Sequence, residues 1–223
     1  MKKYAVLVAG GNGSRMKSDV PKQFMLLKNK PLLVYTIESF LQADVEINII
    51  LVLPEHHLET GKEIVTQFFN GKEIIITSGG TTRFHSVKNG LMQIQEDSIV
   101  LVHDAVRSMV SVDLIQRSLN EVINKKAIIP AISSKDSVRL LDGEKNKSIS
   151  RESVMLVQTP QTFFSNDLKK AFEVEFNDSF TDEASVMEAA GHQIYIIAGD
   201  ENNIKITHPI DLIIAEKILD NAQ

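Results

Sequence analysis

The sequence predicts an α/β fold: a doubly wound, mostly parallel sheet, Rossmann-like and three-layered, with an inserted β-hairpin arm. Three observations predict it. Apolar runs of strand length alternate with amphipathic helical stretches along most of the chain. The strand runs are continuous in Val, Ile and Leu, as strands read when helices cover both faces of a parallel sheet. The rhythm then breaks once, between about residues 133 and 158, where the chain turns polar.

Taken in order, Tyr4–Ala9 reads as a buried strand. Pro31 opens a helical pattern through Leu32, Leu33, Tyr35 and Phe40, since proline suits a first helical turn. Ile47–Leu53 is a strand stopped by Pro54, His56–Phe69 a helix and Glu73–Thr77 a strand. Gly79-Gly80 precedes a helix at about Thr82–Gln95, with Val87, Leu91 and Ile94 on one face. Ile99–Val102 is a strand, Val112–Asn124 a helix and Ala127–Ile132 a strand. Ser137–Leu141 and Lys147–Arg151, joined at Asp142-Gly143, read as a polar hairpin. Such a hairpin is either a surface flap or an arm reaching a partner subunit. Val154–Gln158 resumes the pattern, followed by helices near Asp167–Glu175 and Asp182–Ala190. Strands at Gln193–Ala198 and Asn203–Thr207 and a closing helix from Pro209 complete it.

The 223 residues suit a single domain, 1–223, with the arm at about 134–153. Hydrophobic residues at 43% and charged residues at 24% are ordinary for a folded soluble chain. The absence of cysteine excludes disulfide frameworks, thiolate metal sites and cysteine nucleophiles. No apolar run is long enough to span a bilayer, and six residues between Lys3 and Gly10 are too few for a signal-peptide core. A net charge of −5 argues against broad nucleic-acid or anionic-membrane binding. The expectation is a cytoplasmic protein.

The chemistry begins where the first strand runs into Gly10-Gly11-Asn12-Gly13-Ser14-Arg15-Met16, followed by Pro21-Lys22-Gln23. Glycines there let backbone N–H groups approach a phosphate closely. No Gly-Lys pair follows at Walker A spacing, and Gly11-x-Gly13-x-x reaches Met16 where a dinucleotide fingerprint needs glycine. Arg15 and Lys22 place two cations beside the turn, which suits a triphosphate better than a nicotinamide cofactor. A dehydrogenase reading is correspondingly poor.

This glycine segment resembles the signature of the sugar-nucleotide pyrophosphorylases and cytidylyltransferases. Further segments occur in order: Gly79-Gly80-x-x-Arg83-x-x-Ser86-Val87, Val102-His103-Asp104-Ala105-Val106-Arg107, Gln158-Thr159-Pro160-Gln161, Thr181-Asp182-Glu183-Ala184-Ser185 and Asn203-Ile204-Lys205-Ile206-Thr207-x-Pro209. Together they resemble the 2-C-methyl-D-erythritol 4-phosphate cytidylyltransferases of the non-mevalonate isoprenoid pathway, from about Val6 to Ala215.

The resemblance implies CMP transfer from CTP to methylerythritol phosphate with release of pyrophosphate, and Mg²⁺ carried mainly on the triphosphate. It implies that Val8 to Gly13, including Ala9, Gly10, Gly11 and Gly13, hold CTP, with Gly80, Thr81, Ser86 and Ala105 near base and ribose. Arg15, Lys22, Lys205 and Asp104 would form the catalytic set, and Arg83 would organise its loop. Arg107 and Thr181 would face the acceptor, completed by Ser137 and Arg151 from the partner's arm in a homodimer. No protein metal ligand set is implied. The substrate phosphate is already anionic near neutral pH, so no general base is needed.

Some residues depart from the family pattern. Ser108 follows Arg107 where relatives usually carry proline, Thr81 replaces a common acidic residue, and Ser137 stands for a common threonine while keeping the hydroxyl. His103 reads as structural and Asp104 as the site residue, because consecutive strand residues face opposite ways. The other histidines show no ligand spacing, and Phe68-Phe69 and Phe163-Phe164 read as packing. The rival functions are a cytidylyltransferase for another polyol phosphate such as ribitol 5-phosphate, and a non-catalytic nucleotide-binding regulator.

Overall fold

In the computed structural model, which describes residues 1–10 and 20–221, the chain folds around an eight-stranded mixed sheet. β1 (Lys2–Val8) is followed by a 3-10 turn at Lys22–Phe24 and a small hairpin, β2 (Leu26–Leu27) and β3 (Lys30–Pro31), turned through the positive-φ residues Lys28 and Asn29. Next come α1 (Leu32–Ala43), β4 (Ile47–Leu53), α2 (Leu58–Phe68), β5 (Ile74–Ser78) and α3 (Arg83–Leu91). β6 (Ser98–Asp104), α4 (Val112–Lys125) and β7 (Ala127–Ser133) lead into β8 (Val138–Asp142) and β9 (Lys145–Ile149). β10 (Met155–Val157), β11 (Gln161–Phe164), α5 (Ser165–Ala171), α6 (Glu183–Ala189), β12 (Tyr195–Ala198) and α7 (Pro209–Asn221) complete the order.

The sheet runs β10-β7-β11-β6-β1-β4-β5, with β12 also on β7. β6, β1, β4 and β5 are mutually parallel, and β12 is parallel to β7. β10 and β11 are antiparallel to their neighbours. Side chains of β1 alternate between the two layers, as strand geometry requires. Ala5 and Leu7 pack with Val34, Ile37 and Phe40 of α1 and Leu114 and Ile115 of α4. Tyr4, Val6 and Val8 pack with Phe84 and Val87 of α3, Leu168 of α5 and Met187 of α6. α7 closes a smaller core of Leu27, Leu32, Met109, Ile206 and Ala215.

The structure corrects the sequence expectation at several elements. Gln161–Phe164 is a strand that wedges between β6 and β7. Its four residues follow Pro160 and contain no alternation long enough to announce it. Phe163 is nevertheless fully buried and Phe69 nearly so, as packing residues should be. Asn203–Thr207 is not a strand: Asp200 and Asn202 form a turn, and the Asn203 side chain donates to the Thr159 carbonyl at 2.7 Å instead of a ladder forming. α3 ends at Leu91, short of Gln95, just past Gly90, where a Cβ would lie 2.6 Å from Val6 Cγ1. That glycine lets the helix sit directly on β1 and β4. The second arm strand begins at Lys145, leaving Gly143-Glu144 as the turn, and Arg151 opens a 3-10 turn after it.

Caps set several helix starts. The Ser111 hydroxyl accepts from Leu114 N–H, and Asp182 and Ser185 form a reciprocal capping box on α6. Asp182→Ala is expected to cost about 1 kcal/mol, seen as a lower urea midpoint at unchanged slope. An unchanged midpoint would show that the cap contributes nothing.

Candidate active site

β1 lies between β4 and β6, and the chain order reverses there. Val8 pairs with Asp104 at the carboxyl ends of these strands, and ligands of open α/β sheets bind at such a reversal. Ala105 N–H donates to Val8 O at 3.0 Å and Ala9 N–H to Val52 O at 2.9 Å, so backbone pairing continues to the lip. A cleft of about 230 Å³ opens above it. Its floor includes Val8 and Gly10, one wall Gly80 through Arg83 with Ser86, and the other Lys22, Asp104, Val106 and Lys205.

The wall after β5 is shaped by Ser86. Its hydroxyl donates to Thr82 O at 2.9 Å and accepts from Gly80 N–H at 3.1 Å. A Cβ at Gly79 would lie 2.8 Å from that oxygen, so a larger residue there would displace the Ser86 hydroxyl. Thr82 caps α3 by accepting from His85 N–H.

Asp104 is the electrostatic centre. Lys205 Nζ lies 2.8 Å from Oδ2, Arg83 Nε donates to Oδ1 at 3.2 Å, and Arg107 Nε is 3.7 Å from Oδ2. Burial pushes hardest and would raise this carboxyl, but Arg83, Lys205 and Arg107 outweigh it and hold it well below the usual carboxylate range. The Arg83 Nη groups both donate to Glu183. Burial works against the Arg83 charge, yet the Glu183 and Asp104 carboxylates keep it protonated beyond the ordinary arginine value. Burial raises the Glu183 carboxyl despite Arg83, while it lowers Arg107.

A polar brace lies behind Asp104. The Asp104 N–H donates to Thr159 Oγ1 at 3.1 Å, which sits 2.9 Å from His103 Nδ1, and His103 Nε2 faces Arg107 O at 3.3 Å. The carbonyl opposite Nε2 calls for a proton on that nitrogen, and in the neutral ring Nδ1 then accepts from the Thr159 hydroxyl. Burial pushes the His103 pKa down to about 3. Arg107 Nη1 donates to Asn203 O at 2.8 Å, and Ile206 N–H donates to Val106 O at 3.0 Å, which fixes the backbone bearing Lys205.

One geometry-independent observation decides the family. A family model, IspD: 2-C-methyl-D-erythritol 4-phosphate cytidylyltransferase, matches residues 4–221. The chain belongs to the 2-C-methyl-D-erythritol 4-phosphate cytidylyltransferases. It is 43% identical over 219 residues to the enzyme of that name from Bacteroides fragilis, covering 98% of this chain and 100% of the relative. The crystal structure of 4-diphosphocytidyl-2C-methyl-D-erythritol synthase from Anaerococcus prevotii superposes with a TM-score of 0.85 at 29% identity, covering 98% of this chain and 96% of that one. The bifunctional IspDF from Campylobacter jejuni gives 0.81 at 30% identity, covering 96% of this chain and 54% of that longer one. As a cytidylyltransferase, the protein couples CTP to 2-C-methyl-D-erythritol 4-phosphate in isoprenoid biosynthesis.

Of the residues the sequence singled out, the cytidylyltransferase cleft gathers Gly10, Lys22, Gly80, Thr81, Ser86, Asp104 and Lys205. Ala9 and Ala105 are buried just past the strand ends beneath it, and Arg107 braces Asp104 from the side. Gly11, Gly13 and Arg15 lie outside the described residues. Thr181 is exposed just before α6 and borders a separate small cavity with Arg83 and Phe180. Ser137 and Arg151 are exposed on the arm, away from the cleft lining of their own chain. Sequence reasoning assigned no role to Thr82, Thr159, Asn203 or Glu183. The last three stand inside recognised segments, but only their partners across the sheet reveal what they hold.

Proposed function

We propose that the whole of residues 1–223 acts as one cytidylyltransferase unit, with CTP in the cleft over β1 and β6 and the acceptor phosphate beside Asp104 and Arg107. The observation that carries this is the set of cations converging on one lip: Lys22 and Lys205 line the cleft with Arg107 behind, while the Arg83 guanidinium is taken up by Asp104 and Glu183. Two anions must meet for a phosphate oxygen to attack the α-phosphorus of CTP, and such a reaction asks the protein for positioning and charge rather than covalent chemistry. Arg15 and the glycine loop, Gly11 and Gly13 included, belong to the same proposal on the family pattern. Gly10 and Gly80 offer backbone close to the nucleotide, with Thr81 and Ser86 beside the base and ribose.

Mg²⁺ belongs to this reading. Among the described residues no group of three His, Asp or Glu is placed to hold a metal, and Asp104 supplies the carboxylate of the cleft lining. That donor set fits an ion bound chiefly by phosphate oxygens, with at most one protein carboxylate. Bound there, Mg²⁺ would neutralise triphosphate charge. Lys22 and Lys205 would orient the same phosphates.

The arm completes the proposal. β8 and β9 are almost wholly exposed, with Leu140 and Leu141 uncovered, which suits a crossing into a second copy as a homodimer. Ser137, Arg151 and Thr181 would then meet the acceptor. Arg151→Ala is expected to raise the KM for methylerythritol phosphate roughly 10–100-fold, as for a lost hydrogen bond to a charged group, with the KM for CTP little changed. Equal losses for both substrates would show that the arm does not serve the acceptor. A cytoplasmic setting is part of the same reading, supported by the metabolic family; among the described residues no helix is long and apolar enough to cross a membrane.

Pyrophosphate release from CTP and Mg²⁺ tests the assignment, with methylerythritol 4-phosphate, ribitol 5-phosphate or no acceptor. Turnover with the first alone is expected. Preference for ribitol 5-phosphate would replace the acceptor, and silence with both would leave a nucleotide-binding regulator.

A further inference from the structure

Glu183 opens α6 with a side chain only 1% exposed, and its two carboxylate oxygens take both Nη groups of Arg83. The remaining guanidinium edge, Nε, donates to Asp104 Oδ1 at 3.2 Å, while Lys205 holds Oδ2 at 2.8 Å. The backbone carrying Glu183 is fixed from two sides. Asp182 caps the helix, and the Gln161 side chain donates to Asp182 Oδ2 at 2.8 Å and accepts from Ala184 N–H at 2.9 Å. Gln161 itself pairs with Val102 of β6, two residues before Asp104.

Stability does not explain this arrangement, because replacing a buried ion pair by apolar residues is often neutral or better. Geometry does. A guanidinium is a planar fork whose preferred partner is a carboxylate gripped by two N–H groups. Without Glu183, the fork of Arg83 is free to turn onto Asp104, take both of its oxygens and displace Lys205. With Glu183 in place, Asp104 receives a single N–H from Arg83.

We propose that Glu183 is a positioning residue for the transfer reaction: by occupying the fork of Arg83 it reserves one oxygen of Asp104 for Lys205, and so sets where the Lys205 ammonium meets the triphosphate. The inference deepens the cleft assignment above and rests on it.

The test compares Glu183→Gln, Glu183→Asp and the double variant Arg83→Met with Glu183→Leu, each assayed with CTP, Mg²⁺ and methylerythritol 4-phosphate. Glu183→Gln is expected to lower kcat at least about tenfold, as misplaced catalytic groups do, with the KM for CTP within about threefold of wild type. Glu183→Asp, which keeps the charge, falls between. The double variant removes the fork together with its holder. It keeps its Tm within about 4 °C of wild type and recovers part of the kcat lost in Glu183→Gln. A Glu183→Gln enzyme with wild-type kcat overturns the proposal, as does a loss that only follows a collapsed Tm in both single variants. A folded double variant no faster than Glu183→Gln also overturns it. An inactive wild-type chain would overturn the cleft assignment and this inference together, whereas an active wild type with an unaffected Glu183→Gln overturns the inference alone.

Discussion

Lys205→Ala is expected to lower kcat by about 10²–10³, the usual cost of removing one positioned group that stabilises transition-state charge. The ammonium is placed by the fold rather than by its own helix or strand. Ile206 is fully buried among Leu27, Leu32 and Met109, and its N–H bonds to Val106 O, so the neighbouring residue is turned toward the cleft. There Lys205 Nζ lies 2.8 Å from Asp104 Oδ2 with its side chain 41% exposed. A partly exposed ion pair adds little to stability, about 1 kcal/mol or less. The variant should therefore keep its fold while losing turnover. Steady-state pyrophosphate release beside a thermal melt checks both halves. A kcat within about threefold of wild type would remove Lys205 from the reaction.

The second large effect is on stability in acid. His103 is fully buried, and burial holds its imidazole neutral down to about pH 3. An unfolded histidine takes its proton near pH 6.5. Below that pH the unfolded chain binds more protons than the folded one, so the contribution is fully present above pH 6.5 and is lost as pH falls toward 3. Its full size is on the order of 5 kcal/mol. Asp104, held low by its three cations, acts in the same direction but only below the ordinary carboxylate range. Glu183 acts oppositely: its carboxyl is raised, so its contribution is lost as pH rises above the ordinary glutamate value. Urea unfolding of wild type and His103→Gln between pH 7.5 and 4.5 separates these groups. Glutamine can still accept from Thr159 and donate to Arg107 O, but it does not titrate. The variant should lose much of the acid slope; equal slopes in both proteins would show that His103 does not control acid stability.

How much of this was legible in the letters follows from which interactions are local. β4 stands at Ile47–Leu53 in the reading and in the structure, because an Ile/Leu/Val run broken only by Asn48 and ended by Pro54 has no competing conformation. The glycine pair at 79–80 announced a tight backbone, and Ser86 supplies the reason six residues later. β11 escaped notice because four residues acquire strand geometry only when β6 and β7 present edges on both sides. Asn203–Thr207 misled for the opposite reason. Its polar–apolar alternation at Ile204 and Ile206 reads as a strand, yet the buried residues are Asn203 and Ile206, three apart and anchored separately to the Thr159 and Val106 carbonyls with no ladder.

The sequence by itself determined the layered α/β architecture, the family, and the cations and acid of the cleft, since periodicity and motif order survive without coordinates. Tertiary structure decided how those charges are shared. That Asp104 divides its oxygens between Arg83 and Lys205, that Glu183 takes the rest of Arg83, and that His103 stays neutral behind them all depend on residues from 21 to about 100 positions apart. Only a folded sheet brings such groups within hydrogen-bonding distance, and only burial there makes their pairing obligatory.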